Sequence, residues 1–149
     1  MRHRLSARLA SWQIWLLSLA GGLLWLSGVA WLVLYYFGRS DGDLGPRTNP
    51  AEVWMLRLHG LVLLPGLLAL GGLMVSHIPL GWVQRRQRML GVLLSGVLAV
   101  LIVSGYLLYY LGDEGLRADA SVIHWAFGLA LPACFFLHYI RGLHLRRGP

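Results

Sequence analysis

The sequence predicts an all-α integral membrane protein in which four transmembrane helices pack as an antiparallel bundle. Three observations carry this. The 149 residues are 57% hydrophobic and only 13% charged, with a mean hydropathy of +0.62, whereas a soluble domain is typically about 25% charged. Four apolar runs reach the roughly 20 helical residues that a bilayer core of about 30 Å requires. The polar connections between them are short, which makes neighbouring helices antiparallel. A formal net charge of +7 invites a nucleic-acid partner, but all 13 basic residues are Arg and they cluster between apolar runs. That distribution is a membrane pattern, and no nucleic acid is expected.

The spans are expected at about 12–37, 53–76, 89–111 and 122–143, in one domain covering 1–149. The first is too long for the apolar core of a cleaved signal peptide, and no small-x-small site follows it. Charge then assigns the sides. Arg2, Arg4 and Arg8 precede the first span, Arg85, Arg86 and Arg88 lie between the second and third, and Arg141, Arg146 and Arg147 follow the last. The positive-inside rule places these nine, and with them both termini, in the cytoplasm of a bacterial-type inner membrane. All six acids (Asp41, Asp43, Glu52, Asp113, Glu114 and Asp119) fall on the opposite side.

A faint duplication accompanies this layout. Leu34-Tyr35-Tyr36-Phe37-Gly38 closes the first span and Leu108-Tyr109-Tyr110-Leu111-Gly112 the third. An acidic loop follows each, then a helix with an early histidine and a later proline: His59 and Pro65, His124 and Pro132. The pattern reads as a repeated helix pair.

Four histidines lie within the spans, where ionisable side chains are expensive and call for partners. His59 and His124 sit near the outer ends of the second and fourth helices, and His77 and His138 toward the inner ends. At 100° per residue, the 14-residue step from His124 to His138 keeps both within about 40° of one face, and the 18 residues from His59 to His77 make five whole turns. Two imidazoles from two helices at two depths are what bis-imidazole ligation of two non-covalent b-type haems requires. His59 and His124 would hold the outer iron, His77 and His138 the inner one. The lone Cys134 and the lack of a Cys-x-x-Cys-His motif exclude covalent attachment. Small residues give a flat macrocycle room. Gly60, Gly66 and Gly128 lie on the histidine helices, and Gly91 and Gly105 on the third helix repeat the 14-residue step, although close helix packing explains glycines equally well. The 14- and 18-residue steps correspond to about 21 Å and 27 Å of helix, so the second helix must tilt, bend near Pro65, or end before His77 beside Pro79. Otherwise His77 serves as a hydrogen-bond partner of the inner haem. His3 and His144 read as juxtamembrane residues.

The run Ile123-His124-Trp125 through Pro132 to His138-Tyr139-Ile140-Arg141-Gly142 resembles the last core helix of the four-helix di-haem membrane cytochromes b, the group containing the cytochrome b subunits of nickel–iron hydrogenases and formate dehydrogenases. The resemblance spans about 12–143, with specific motifs only on helices two and four. It implies four core helices enclosing two haems and electron transfer between a membrane quinone pool and a redox partner. Unlike the hydrogenase-type pattern, this chain has no histidine on its first helix, so the second must supply both remaining ligands.

Other residues follow as expectations. Arg57 and Arg141 are candidates to meet haem propionates, each lying near one haem level. Tyr35, Tyr36, Tyr109 and Tyr110 read as interfacial anchors, or as the wall of a quinone pocket with Asp113 or Glu114 taking quinol protons. Trp12, Trp54 and Trp82 read as belt residues and Cys134 as a packing residue. Partners expected are lipid, quinone, and a periplasmic c-type cytochrome or redox-enzyme subunit docking on the acidic loops. The rivals are a haem-free transporter that uses the histidines as a relay, and a structural anchor subunit.

Overall fold

The computed structural model describes residues 9–42, 45–85 and 87–145. The orientation signals at Arg2, Arg4, Arg8, Arg86, Arg146 and Arg147, with His3 and Asp43, lie outside these residues. The elements among the described residues are four helices and one small ribbon: α1 Ser11–Phe37, β1 Ser40–Gly42, β2 Gly45–Arg47, α2 Pro50–Val83, α3 Arg88–Tyr110 and α4 Glu114–His144. All four helices are long and apolar enough to cross a membrane.

Helices α1 and α3 start and stop within one residue of expectation. The other two are longer, for reasons that hydropathy does not carry. Asn49 caps α2, its side chain accepting from Ala51 N at 3.0 Å while the Glu52 carboxylate accepts from Asn49 N at 3.2 Å. With Pro50 in the first helical position, this is a reciprocal capping box, and it sets the start three residues before the apolar run. At its far end α2 passes through Pro65 and Pro79 without ending. A proline within a span is tolerated where its freed backbone groups are satisfied locally. Asp113 caps α4 by accepting from Leu116 N at 2.8 Å. That start takes Glu114 and Asp119, expected in a loop, into the helix.

The chain divides into two compact units, Met1–Leu80 and Gly81–Pro149. In the first, α1 and α2 form an antiparallel hairpin. Along its length Gln13 meets Gly72, Leu24 and Ala20 meet Gly66, and Gly28 meets His59. The inward positions are Gln13, Ala20, Leu24, Ser27, Trp31 and Leu34 on α1, and Glu52, Met55, His59, Val62, Gly66, Ala69 and Leu73 on α2. Their alternating three- and four-residue steps on α2 are those of a coiled-coil seam. In the second unit α3 turns inward Leu90, Leu94, Val97, Leu101, Ser104 and Leu108, and α4 Ala120, His124, Gly128, Leu131, His138 and Gly142. The remaining faces are apolar and open, with Leu61 75% and Met89 84% exposed. Such faces suit contact with membrane lipid.

The α1–α2 connection is tied down from both ends. The ribbon pairs Ser40 with Arg47 and Gly42 with Gly45. Arg39 donates to the buried Glu52 carboxylate through Nε at 3.3 Å and Nη2 at 3.2 Å, while its guanidinium lies 3.8 Å from the Tyr35 ring centroid. The Glu52 carboxylate raises the Arg39 pKa above its ordinary value, mainly through these hydrogen bonds. In the second unit, Arg85 and Gln87 take left-handed backbone conformations at the turn into α3. Arg88 closes that turn by donating to the Trp82 carbonyl at 3.1 and 2.8 Å.

Candidate functional site: two serine-held imidazoles

Each hairpin builds the same arrangement around one histidine. On α1 the sequence Leu24-Trp25-Leu26-Ser27-Gly28 turns Ser27 onto the seam, and on α3 Leu101-Ile102-Val103-Ser104-Gly105 does the same for Ser104. The serines are buried, 2% and 4% exposed. Ser27 Oγ lies 3.0 Å from His59 Nδ1, and Ser104 Oγ lies 3.0 Å from His124 Nδ1. The glycine after each serine faces the same imidazole. A Cβ on Gly28 would stand 3.5 Å from His59 Cε1, and one on Gly105 would stand 3.2 Å from His124 Cε1. The leucine three residues before each serine packs on a glycine beyond the histidine, Leu24 on Gly66 and Leu101 on Gly128. Glycine therefore lets two backbones approach around each ring, as small residues do between membrane helices.

The remaining histidines lie further along the same two helices. His138 lies two heptads after His124, so both project from the inward stripe of α4. Its turn is gripped by Gln87. With its amide nitrogen toward α4, that side chain donates to the His138 carbonyl at 2.9 Å and its oxygen accepts from Gly142 N at 3.0 Å. A Cβ on Gly142 would stand 2.9 Å from the end of this amide. His77 is half-buried on unbroken helix. Of the three expected ways out, an α2 that ends before His77 is not realised, since the helix runs on to Val83.

The other predicted residues fall as follows. Gly60 is exposed beside His59, and no side chain lies within 4 Å of where a Gly91 Cβ would stand. Arg57 stacks on Trp54, 4.9 Å from the ring centroid. It is exposed, and two residues before His59 puts it about 200° around the helix from the seam. Arg141 is exposed in the last turn of α4, where a cation also complements the helix dipole. Tyr36, Tyr109 and Tyr110 are exposed, while Tyr35 packs on Trp31 with centroids 5.0 Å apart. Cys134 is a half-buried free thiol. Asp113 serves as the α4 cap, and Glu52 is buried and committed to Arg39, so Asp41, Glu114 and Asp119 are the exposed acids without such a role among the described residues.

Ser27, Ser104 and Gly28 escaped the sequence reading. Their signal was present as the motif Leu-x-x-Ser-Gly, occurring once on each odd-numbered helix. Among the described residues no three His, Cys, Asp or Glu side chains converge as a metal-ion cluster. Two axial imidazoles per iron require no such cluster, and neutral imidazole held at Nδ1 is the donor type that haem iron accepts. No protein family, curated protein or solved structure matches this chain.

Proposed function

We propose that this protein is a membrane cytochrome b that carries electrons through the bilayer on two non-covalent haems. His59 and His124 ligate the outer iron, and His77 and His138 the inner one, as their spacing on α2 and α4 implies. One observation supports this most: each hairpin holds a histidine at 3.0 Å from a buried serine through Nδ1, as an axial ligand needs. Haem, when bound, supplies a one-electron iron couple. The chain's own residues ligate it, orient the rings, and surround the site with apolar side chains that exclude water, and this burial helps set the potential. Arg141 neutralises a propionate, whereas Arg57, turned away from the seam onto Trp54, is not placed for that role. Tyr35, Tyr36, Tyr109 and Tyr110 would wall a quinone site beside the outer haem, and the exposed acids Asp41, Glu114 and Asp119 would receive a basic periplasmic protein.

The absorption spectrum of the purified protein tests this. Bis-imidazole haem gives a sharp alpha band on reduction, and His59→Ala and His124→Ala remove the same haem. His77→Ala and His138→Ala deplete the other, His77→Ala the less completely. Protein that purifies colourless from haem-replete cells overturns the proposal and leaves a transporter or anchor subunit.

A further inference from the structure

We infer that Ser27 and Ser104 are positioning residues that fix His59 and His124 as the Nδ1–H tautomer and so make Nε2 the ligating nitrogen. A serine hydroxyl carries a single proton. That of Ser27 is directed to the Leu24 carbonyl at 3.1 Å, and that of Ser104 to the Val100 carbonyl at 2.7 Å, with Leu101 at 3.3 Å. Each oxygen is then left to accept, and the imidazole 3.0 Å away must donate from Nδ1. A neutral imidazole has one N–H, so the lone pair available to a metal resides on Nε2. At 2% and 4% exposure no bulk water competes to turn the hydroxyls round. The same device occurs in two units on separate stretches of sequence, which coincidence explains poorly.

A serine that only satisfied itself against its own helix would make the same carbonyl bond, but its removal would leave the imidazole indifferent. The consequence for metal binding rests on the haem reading above, whereas the tautomer does not. The two are therefore measured separately. Full-length protein labelled with 15N-histidine and purified from cells deprived of haem reports which ring nitrogen carries the proton. Wild type is expected to show protonated Nδ1 at His59 and His124. Ser27→Ala and Ser104→Ala each release their own ring into a mixture of tautomers, while Ser27→Thr and Ser104→Thr retain the wild-type form. In haem-loaded protein the alanine variants lose haem to an external apoprotein acceptor about tenfold faster or more, the usual scale of removing an outer-shell partner, and the threonine variants restore retention. Protonated Nε2 in the wild type, or alanine variants with unchanged tautomer, would overturn the inference. Colourless protein from haem-replete cells whose rings still follow the serines would remove the haem reading and uphold the positioning role.

Discussion

The two glycines beside the imidazoles differ by a few tenths of an ångström, and that difference makes a sharp prediction. Adding a methyl group at Gly105 places it 3.2 Å from His124 Cε1 and 3.6 Å from Nδ1, whereas comfortable carbon–carbon contact begins at about 3.5 Å. The ring must therefore retreat by roughly 0.3–0.5 Å. Its bond to Ser104, now 3.0 Å, would stretch toward the outer limit for a hydrogen bond. Overpacking of this kind costs about 1–3 kcal/mol, and the better helix propensity of alanine returns up to about 1 kcal/mol. Gly105→Ala should thus destabilise the protein by about 1–2 kcal/mol. At Gly28 the same methyl group meets His59 at 3.5 and 3.7 Å, which is ordinary contact, so Gly28→Ala should be neutral or slightly stabilising. Thermal melts of both variants in one detergent, followed by far-UV circular dichroism, read the contrast. A Gly28→Ala variant that melts as low as Gly105→Ala would refute the reasoning, because the propensity gain would then be failing to appear where space allows it.

Asp113→Ala should lower the stability of α4 by about 1 kcal/mol through loss of its cap. Asp113→Asn, which caps as well but takes up no proton, should melt like wild type while slowing quinol oxidation if this group accepts the proton. Arg39→Met leaves the buried Glu52 carboxylate only its bond from Asn49 N at 3.2 Å of the contacts described above, so trypsin should cut after Arg47 faster than in wild type; an unchanged cleavage rate would show that the ribbon alone holds the loop. His59→Ala and His124→Ala should have matched effects on one haem, whereas His77→Ala should be milder than His138→Ala, read from haem content and redox titration.

What the sequence made legible follows from which physical signal each feature leaves. The ends of α1 and α3 coincide with steep changes in hydropathy, so length and polarity locate them to a residue. The starts of α2 and α4 lie in polar sequence, and their signals are chemical: Asn49-Pro50-Ala51-Glu52 and Asp113-Glu114-Gly115-Leu116 specify caps, which a hydropathy window averages away. The 14-residue step between His124 and His138 anticipated a shared helix face, and two heptads of seam realise it. The serines were hidden because one hydroxyl in an apolar helix has many ordinary reasons to be there. Only the pairing across each hairpin, 32 residues away for Ser27 and 20 for Ser104, distinguishes them.

The duplication also needs a different register from the one its aromatic ends suggest. Tyr35 follows Ser27 by eight residues, but Tyr109 follows Ser104 by only five. His77 follows His59 by 18, and His138 follows His124 by 14. Measured from the serine–histidine pair, the first hairpin is thus longer by three residues along α1 and by four along α2. Each is about one helical turn, and insertions of three or four residues are those that carry a side chain along the axis while nearly preserving its face. His77 is half-buried on α2, displaced by about 6 Å of helix rise from the place its repeat counterpart would occupy. If the serine-held pair is the fixed point of the repeat, the proposed outer ligands are equivalent by construction and the proposed inner ones are not. Under the proposed haem reading, a one-turn mismatch at a single level would give the two irons different surroundings without disturbing the seam.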